Sequence, residues 1–472
     1  MRYVPDLIVR LFDHAPVWSR SVFSTGYGLL KNSREGGRQF QDYMKELRET
    51  QWWPVSQLEE LQSDRLRRLI QHAATTVPYY GRVFAEYGIA ASQIQSRDDL
   101  KKLPTLSKDT VRRERNSLIA KTYRLRDLRP ESTSGTTGTP LTVFMNREAY
   151  LYAKAAQWLH HEWAGYTHQE WLGVLAGYNV ISMTRRKPPF WATNFAGRQV
   201  HFSTRHLKPD YFSAFVDRLR SSRIEFLLGY PSAISLLARH ITATGDHVPL
   251  RAVFLSSETL YGWEIEAIRA AFGCPVFNYY GQAERAVTAT SCGSSLEMHL
   301  NMEMSLAEYE GNGAGENRVR IVGTSLMNYG MPLIRYELHD FTSRCSGPCP
   351  CGRQHDRIGP VETLVDDYLV GADGALISPS LAYLPFQRVR GIISSQLVQE
   401  EVGRITVNVV VNELFTKGEE STLRNELVSA VGAGTEFAMQ RMESIPLTAN
   451  GKFRFVISRV SHDMSRGPNG VT

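Results

Sequence analysis

The chain lacks the features that mark several large protein classes. Five cysteines in 472 residues are too few for a disulfide framework, so a secreted disulfide scaffold is excluded and a reducing cytoplasm is the expected compartment. Nowhere do ~18 apolar residues run together, so no membrane-spanning helix is expected. Residues 1–31 are interrupted by Asp6, Arg10, Asp13, His14 and Arg20. They lack a compact apolar core before a small-residue cleavage site, so no secretion signal is read. Their apolar side chains suit a helix packed on the protein's own body better than one lying on a membrane. Excess charge is also slight: 54 Lys and Arg against 48 Asp and Glu leave +6. Such a balance helps to attract a small anion, but without a dense basic stripe it is no nucleic-acid footprint. Repeats and low-complexity tracts are absent.

What remains is an ordinary globular composition, 42% hydrophobic and 22% charged, long enough for roughly three structural units at ~150 residues each. The first ~120 residues read as helical. Leu58, Leu61, Leu66, Leu69 and Ile70 share roughly one face, and Pro78 ends that pattern. In the middle, residues 224–230 (IEFLLGY), 251–258 (RAVFLSSE) and 275–281 (PVFNYYG) are short apolar runs suited to buried strands. Between them lie two helical patterns, one opened by Pro231 and stopped near Gly245, the other closed by Gly273. This alternation predicts an α/β fold with a parallel-rich sheet covered by helices, whose ligands bind beyond the carboxyl ends of the strands. Near Asp366 the character changes. Two strand-like runs, residues 392–398 and 404–411, a helix over 419–431 and a last strand predict a small α+β lobe. The expected division is a mainly helical part over 1–120, the body of the large domain over 121–365, and a small lobe over 366–472.

The strongest local signal is Ser132-Thr133-Ser134-Gly135-Thr136-Thr137-Gly138-Thr139-Pro140. Two glycines free the backbone so that amide N–H groups can turn toward one point, and the hydroxyls add donors. Such a loop suits a polyphosphate. It is not a Walker A loop, because Gly138 is followed by Thr139-Pro140 rather than Lys-Ser/Thr; its bland alternative is a polar surface turn. Three further motifs follow it: Tyr280-Gly281-Gln282-Ala283-Glu284, Arg335-Tyr336-Glu337-Leu338-His339-Asp340, and Pro446-Leu447-Thr448-Ala449-Asn450-Gly451-Lys452.

In that order, the set resembles the AMP-forming adenylate ligases, in the branch of phenylacetate–CoA ligases, coenzyme F390 synthetases and CapK-type proteins. The resemblance runs from about residue 60 to 460. It implies a large domain of parallel-rich sheets and helices plus a small mobile lid, with ATP, Mg²⁺ and a carboxylic acid as substrates and coenzyme A as the usual acceptor. It implies that Thr133, Ser134, Gly135, Thr136, Thr137 and Gly138 hold the leaving phosphates. Tyr280 and Gly281 would flank adenine, Ser257 and Glu258 would line its pocket, Asp340 would bind the ribose, and Glu284 would hold Mg²⁺. Lys452 would bridge the substrate carboxylate and the α-phosphate, where a point charge lowers the repulsion between two anions. Each acid, and Lys452 too, also has the plain reading of a solvated side chain in a turn. The lobe hinge falls near Asp366-Asp367, where this chain has Glu362-Thr363-Leu364-Val365 in place of the Gly-Arg common among relatives. Dimers are common in the branch.

Four of the five cysteines, together with His299, suggest a tetrahedral zinc site. The favoured ligands are Cys292, His299, Cys349 and Cys351, with Cys345 or His355 as substitute; the plain alternative is a set of unrelated thiols. Some relatives in the branch carry zinc in this region. Trp158, Trp163, Tyr178 and Tyr230 are candidates for an acyl pocket and equally for the core. Two other readings stand beside acid–thiol ligation: an adenylating enzyme with a non-CoA acceptor, and a zinc-knuckle nucleotide- or nucleic-acid-binding protein.

Overall fold

The structure is a computed structural model that describes residues 17–132, 141–177, 180–182, 185–311, 318–362, 369–372, 376–377, 379–432, 434–448 and 453–460. The helical opening is observed. Helices α1 (Val17–Glu35), α2 (Arg38–Thr50), α3 (Val55–Thr76) and α4 (Pro78–Glu86) follow one another, and a short α5 (Lys108–Arg113) comes later. Leu58, Leu66, Leu69 and Ile70 are fully buried on α3. Pro78 both ends the α3 pattern and starts α4 at its first turn, because a proline there gives up an amide that would have no helical partner.

A hairpin-like pair, β1 (Arg129–Ser132) and β2 (Thr142–Met145), leads into α6 (Arg147–Trp163). Next come β3 (Leu172–Leu175), β4 (Trp191–Asn194), β5 (Gln199–Phe202), α7 (Phe212–Ser221), β6 (Phe226–Gly229), α8 (Pro231–Ala243), β7 (Ala252–Ser256), α9 (Gly262–Phe272) and β8 (Val276–Gly281). The chain continues through β9 (Thr288–Ser291), β10 (Met298–Leu300), β11 (Ser305–Glu310), β12 (Val319–Ser325), β13 (Tyr336–Thr342), β14 (Arg344–Cys345) and β15 (Arg357–Ile358). Ten of these form one sheet in the order β14-β15-β10-β9-β8-β7-β6-β3-β5-β4. Its centre, β5-β3-β6-β7-β8, is parallel. The three expected strands and two intervening helices fall where the apolar periodicity places them. Pro231 is at the start of α8, and Gly273 caps α9 in the left-handed conformation at φ 63°. The hydrophobic layer of α7, α8 and α9 covers one face of this sheet.

Strands β11, β12 and β13 form a separate antiparallel sheet. It packs with α3, α4 and α5 residues in a second core. Beyond a small pair, β16 (Leu369–Val370) and β17 (Leu376–Ile377), comes α10 (Pro379–Gln387). The last unit has β18 (Ile392–Glu401), β19 (Arg404–Val411), α11 (Lys417–Val431), β20 (Glu436–Arg441) and β21 (Val456–Ser458). Its sheet order is β20-β19-β18-β21. The sequence expectation had a single strand after the helix; the structure has two. β21 pairs in parallel with β18 although ~50 residues separate them in the chain, a non-local pairing that has no local pattern. This unit has its own hydrophobic core.

Close packing at the sheet centre depends on Gly229, where an added Cβ would lie 2.2 Å from the Leu175 carbonyl oxygen. Gly229→Ala is expected to cost about 1–3 kcal/mol, the usual range for overpacking a core. Chemical denaturation should show a lowered midpoint with an unchanged slope.

Candidate active site

The carboxyl ends of β6, β7 and β8 bring together the segments that the sequence singled out. Tyr280 ends β8, and Asp340 lies on β13 of the neighbouring sheet. The Tyr280 hydroxyl donates to Asp340 Oδ2 at 2.6 Å. Tyr336, at the start of β13, donates its hydroxyl to Glu284 Oε1 at 2.8 Å. Glu284 sits in the turn between β8 and β9 and is buried. The two proposed nucleotide acids are thus held by two phenols on one patch. Burial pushes the Asp340 carboxyl up to about 7; the Tyr280 hydrogen bond opposes the shift and the nearby Glu284 charge adds to it. Burial and the Glu284 carboxylate likewise raise the Tyr336 phenol.

Tyr336 was missed as a site residue, although it stands inside the motif that supplied Asp340. Arg335 beside it is also buried. Its Nε donates to both Glu308 oxygens at 3.1 Å, and its guanidinium reaches the Leu103 carbonyl. Arg335 therefore anchors the motif rather than facing a ligand.

Ser257 and Glu258 follow the carboxyl end of β7. Ser257 is exposed at φ 74°, a strained conformation for a non-glycine residue. Glu258 does not offer its side chain to a free pocket. Its Oε2 accepts the Ser232 N–H at 3.1 Å, at the start of α8, and its Oε1 accepts the Phe453 N–H at 3.0 Å. Phe453 belongs to the C-terminal unit and immediately follows Lys452 in the chain. One carboxylate thereby joins the strand ends of the large sheet to the small lobe. Behind it, Glu264 accepts the Tyr261 N–H at 3.1 Å and the Ser235 hydroxyl at 3.3 Å. Burial, with the Glu258 charge adding to it, raises Glu264 well above the usual carboxylate range. Gly281 is exposed beside Tyr279. Thr133, Ser134, Gly135, Thr136, Thr137, Gly138, the Asp366-Asp367 hinge, Tyr178 and Lys452 lie outside the described residues.

The four favoured thiol and imidazole groups do converge. Cys292 follows β9 and His299 lies in β10, whose register opposes His299 to Thr290 and so sets it on the same face as Cys292. Cys349 and Cys351 come from the turn after β14. The four ligand atoms lie within 4.8 Å of one another. Cys292 Sγ is 3.6 Å from Cys349 Sγ, and Cys351 Sγ is 3.4 Å from His299 Nε2. Burial alone would raise the Cys292 thiol; hydrogen bonding to His299 and Ser294 outweighs it and brings it down to about 7. The two substitutes are not part of this converging group. His355 Nε2 is bonded to buried Glu303 at 3.1 Å, and the Cys345 thiol is raised by burial and by Glu297. Three soft sulfurs and one imidazole fit tetrahedral zinc. The His299 ring turns Nε2 toward the sulfurs, while its buried Nδ1 has no hydrogen-bond partner among the described residues. Trp158 and Trp163 pack near this cluster and the α2–α6 core. Trp163 donates to Gln51 at 2.9 Å. They are core residues, and Tyr230 caps α8.

Buried acids lie at the strand ends of a largely parallel sheet, and a small lobe docks beside them through Phe453. This defines an adenylate-forming enzyme. Residues 126–329 match the AMP-binding enzyme family, and residues 369–459 match the CapK C-terminal domain. These matches support an adenylate-forming ligase in the branch of CapK and the phenylacetate–coenzyme A ligases. Protein CapK of Staphylococcus aureus is 23% identical over 95% of this chain and 99% of its own length. A phenylacetate–coenzyme A ligase of Thermus thermophilus is 26% identical over 67% of this chain and 72% of its own. Among solved structures, 2-hydroxyisobutyryl-CoA ligase in its postadenylation state superposes with a TM-score of 0.67 at 18% identity, covering 87% of this chain and 91% of that one. The same ligase in its thioesterification state gives 0.54. No helix among the described residues is long and apolar enough to cross a membrane.

Asp340 supplies a test. In the unfolded chain it ionises near 3.9; in the folded protein it ionises near 7. Between those values the native state holds the extra proton, so its contribution to stability falls as pH rises from about 4 to 7. Asp340→Asn should remove that decline in denaturation curves taken at pH 5 and pH 8. It should also raise the KM for ATP roughly tenfold to hundredfold, the loss expected for a charged hydrogen bond.

Proposed function

We propose that the chain activates a small carboxylic acid with ATP and Mg²⁺ and then passes the acyl group to the thiol of coenzyme A. A carboxylate oxygen attacks the α-phosphorus, the bond to the bridging oxygen breaks, and pyrophosphate leaves. The thiolate then attacks the acyl carbon and AMP leaves. Residues 133–138 cradle the β- and γ-phosphates. Tyr280 offers a face to adenine, and Asp340 accepts from the ribose. Glu284 holds Mg²⁺, for which few protein oxygens suffice when phosphates supply the rest. Lys452 neutralises the approaching anions, and Glu258 positions it. The lobe boundary is near residue 366.

The observation that carries this reading is the Phe453–Glu258 hydrogen bond. It docks the residue next to Lys452 on the strand ends that bear Tyr280 and the Glu284 turn. In the presence of ATP, Mg²⁺ and a panel of acids, the protein should exchange labelled pyrophosphate into ATP. Lys452→Ala should lower that exchange by at least a hundredfold. Glu258→Gln should lower it about tenfold while leaving thioester formation from a supplied acyl-adenylate near the wild-type rate. A purely structural role for Glu258 would depress both half-reactions together.

A second reading keeps adenylation and changes the acceptor to an amine or hydroxyl. It is favoured by the near full-length similarity to CapK and by Glu362-Thr363-Leu364-Val365 in place of Gly-Arg before the hinge. Product mass spectrometry with and without coenzyme A separates the two.

We also propose that Cys292, His299, Cys349 and Cys351 hold a structural zinc that ties the β9–β10 hairpin to the turn after β14. Bound there, zinc supplies cross-linking rather than reactivity, because four protein ligands leave no open position. Elemental analysis should find about one zinc per chain. Cys349→Ser should lose it and lower Tm.

A further inference from the structure

The small lobe does more than carry a lysine. Between it and the large domain lies a cavity of about 260 Å³, just under the ~300 Å³ at which drug-sized ligand pockets begin. One wall is the large domain, with Phe212 and Leu236. The other is the small lobe, with Ile393, Val410 and Phe455. Trp263 of α9 and Tyr383 of α10 stack at 3.8 Å between ring centres and form its floor. The cavity exists only while the lobes are together. Pro446, Leu447 and Phe453 line it as well. Ser232, whose amide is held by Glu258, is also on its wall.

Its charge is one-sided. Arg205, Lys208 and Arg239 line it, against the single acid Glu443, which is exposed. Arg239 donates to the Tyr383 hydroxyl at 3.3 Å and to the Ile392 carbonyl at 2.6 Å. Both acceptors are neutral. Among the described residues, no carboxylate lies within ion-pair distance of Arg239 or Lys208. Lys208 and Arg239, half-buried beside apolar walls, present positive charge that an anion in the cavity would match.

We propose that this cavity seats the tail of the activated acid, and that the acid is a dianion: a compact apolar skeleton with a second carboxylate at its far end. The reacting carboxylate meets Lys452 and the second one meets Lys208 and Arg239. The identity of the reacting end rests on the adenylation reading above; the cavity assignment does not. Because both lobes form the walls, the same acid favours the closed arrangement that the first half-reaction needs.

The test compares acids that differ only at the far end: hexanoate with adipate, and phenylacetate with 4-carboxyphenylacetate. In pyrophosphate exchange, one diacid should show a KM at least tenfold below its monoacid. Lys208→Ala should remove that preference with kcat within threefold of wild type and the monoacid KM unchanged. Calorimetry on the full chain supplies an arm that needs no turnover. Adipate or 4-carboxyphenylacetate should bind, and both Lys208→Ala and the cavity-filling Leu236→Trp should weaken that binding at least tenfold. Binding of this kind without exchange for any acid leaves the cavity assignment standing and overturns the adenylation reading. No binding of either diacid, a preference for the monoacids, or an unchanged preference in Lys208→Ala overturns the assignment. So does competition by free pantetheine against the acid without any diacid preference, which would make the cavity a thiol channel.

Discussion

One carboxylate holds the molecule in the arrangement described. Glu258 accepts an amide from the start of α8 through one oxygen and an amide from the small lobe through the other. A charge-assisted hydrogen bond is stronger than a neutral one, and backbone amides at such an interface need acceptors if they leave water. The stacked Trp263–Tyr383 pair and the Arg239 bridge to the Ile392 carbonyl add apolar and polar contact alongside it. When the lobe turns away for a second half-reaction, all three contacts must be given up together. The interface is small in polar content and is therefore suited to exchange rather than permanent closure.

The nucleotide acids show a complementary design. Asp340 and Glu284 lie close enough for the charge of one to raise the other. Each is met by a tyrosine hydroxyl rather than by a cation. Two carboxylates in a poorly solvated patch are electrostatically uncomfortable alone. The proposed ribose diol and divalent cation would relieve this, because one donates hydrogen bonds and the other supplies positive charge. The site is thus built from groups whose unliganded state is held at some cost, while the anchoring work is left to the buried Arg335–Glu308 pair outside it.

Away from this centre the protein is made rigid by different means. Gly229 lets two parallel strands approach at the sheet core, and the thiol–imidazole cluster gathers a hairpin and a distant turn. Both lie in the large domain, behind or beside the strand ends. The tail lobe has a separate hydrophobic core. It can therefore move as a unit without disturbing the sheet that holds Tyr280.

Much of this was legible in the residues. The apolar runs with Pro231 and Gly273 between them determine the β6–α8–β7–α9–β8 unit, because strand and helix periodicities are local. The four favoured thiol and imidazole groups do lie together, a convergence that their grouping in the sequence suggested. Tyr280, Glu284 and Asp340 were recognisable as motif members. The Tyr280–Asp340 and Tyr336–Glu284 hydrogen bonds were not, because they depend on how β13 lies against the β8–β9 turn. The parallel partner of β18, the Glu258 contact with the small lobe, and the one-sided charge of the interface cavity all join residues far apart in the chain. Sequence by itself determined which segments become strands, helices and ligand-bearing turns. Only the tertiary structure decided which of their side chains meet, because that depends on distances between segments that no local pattern records.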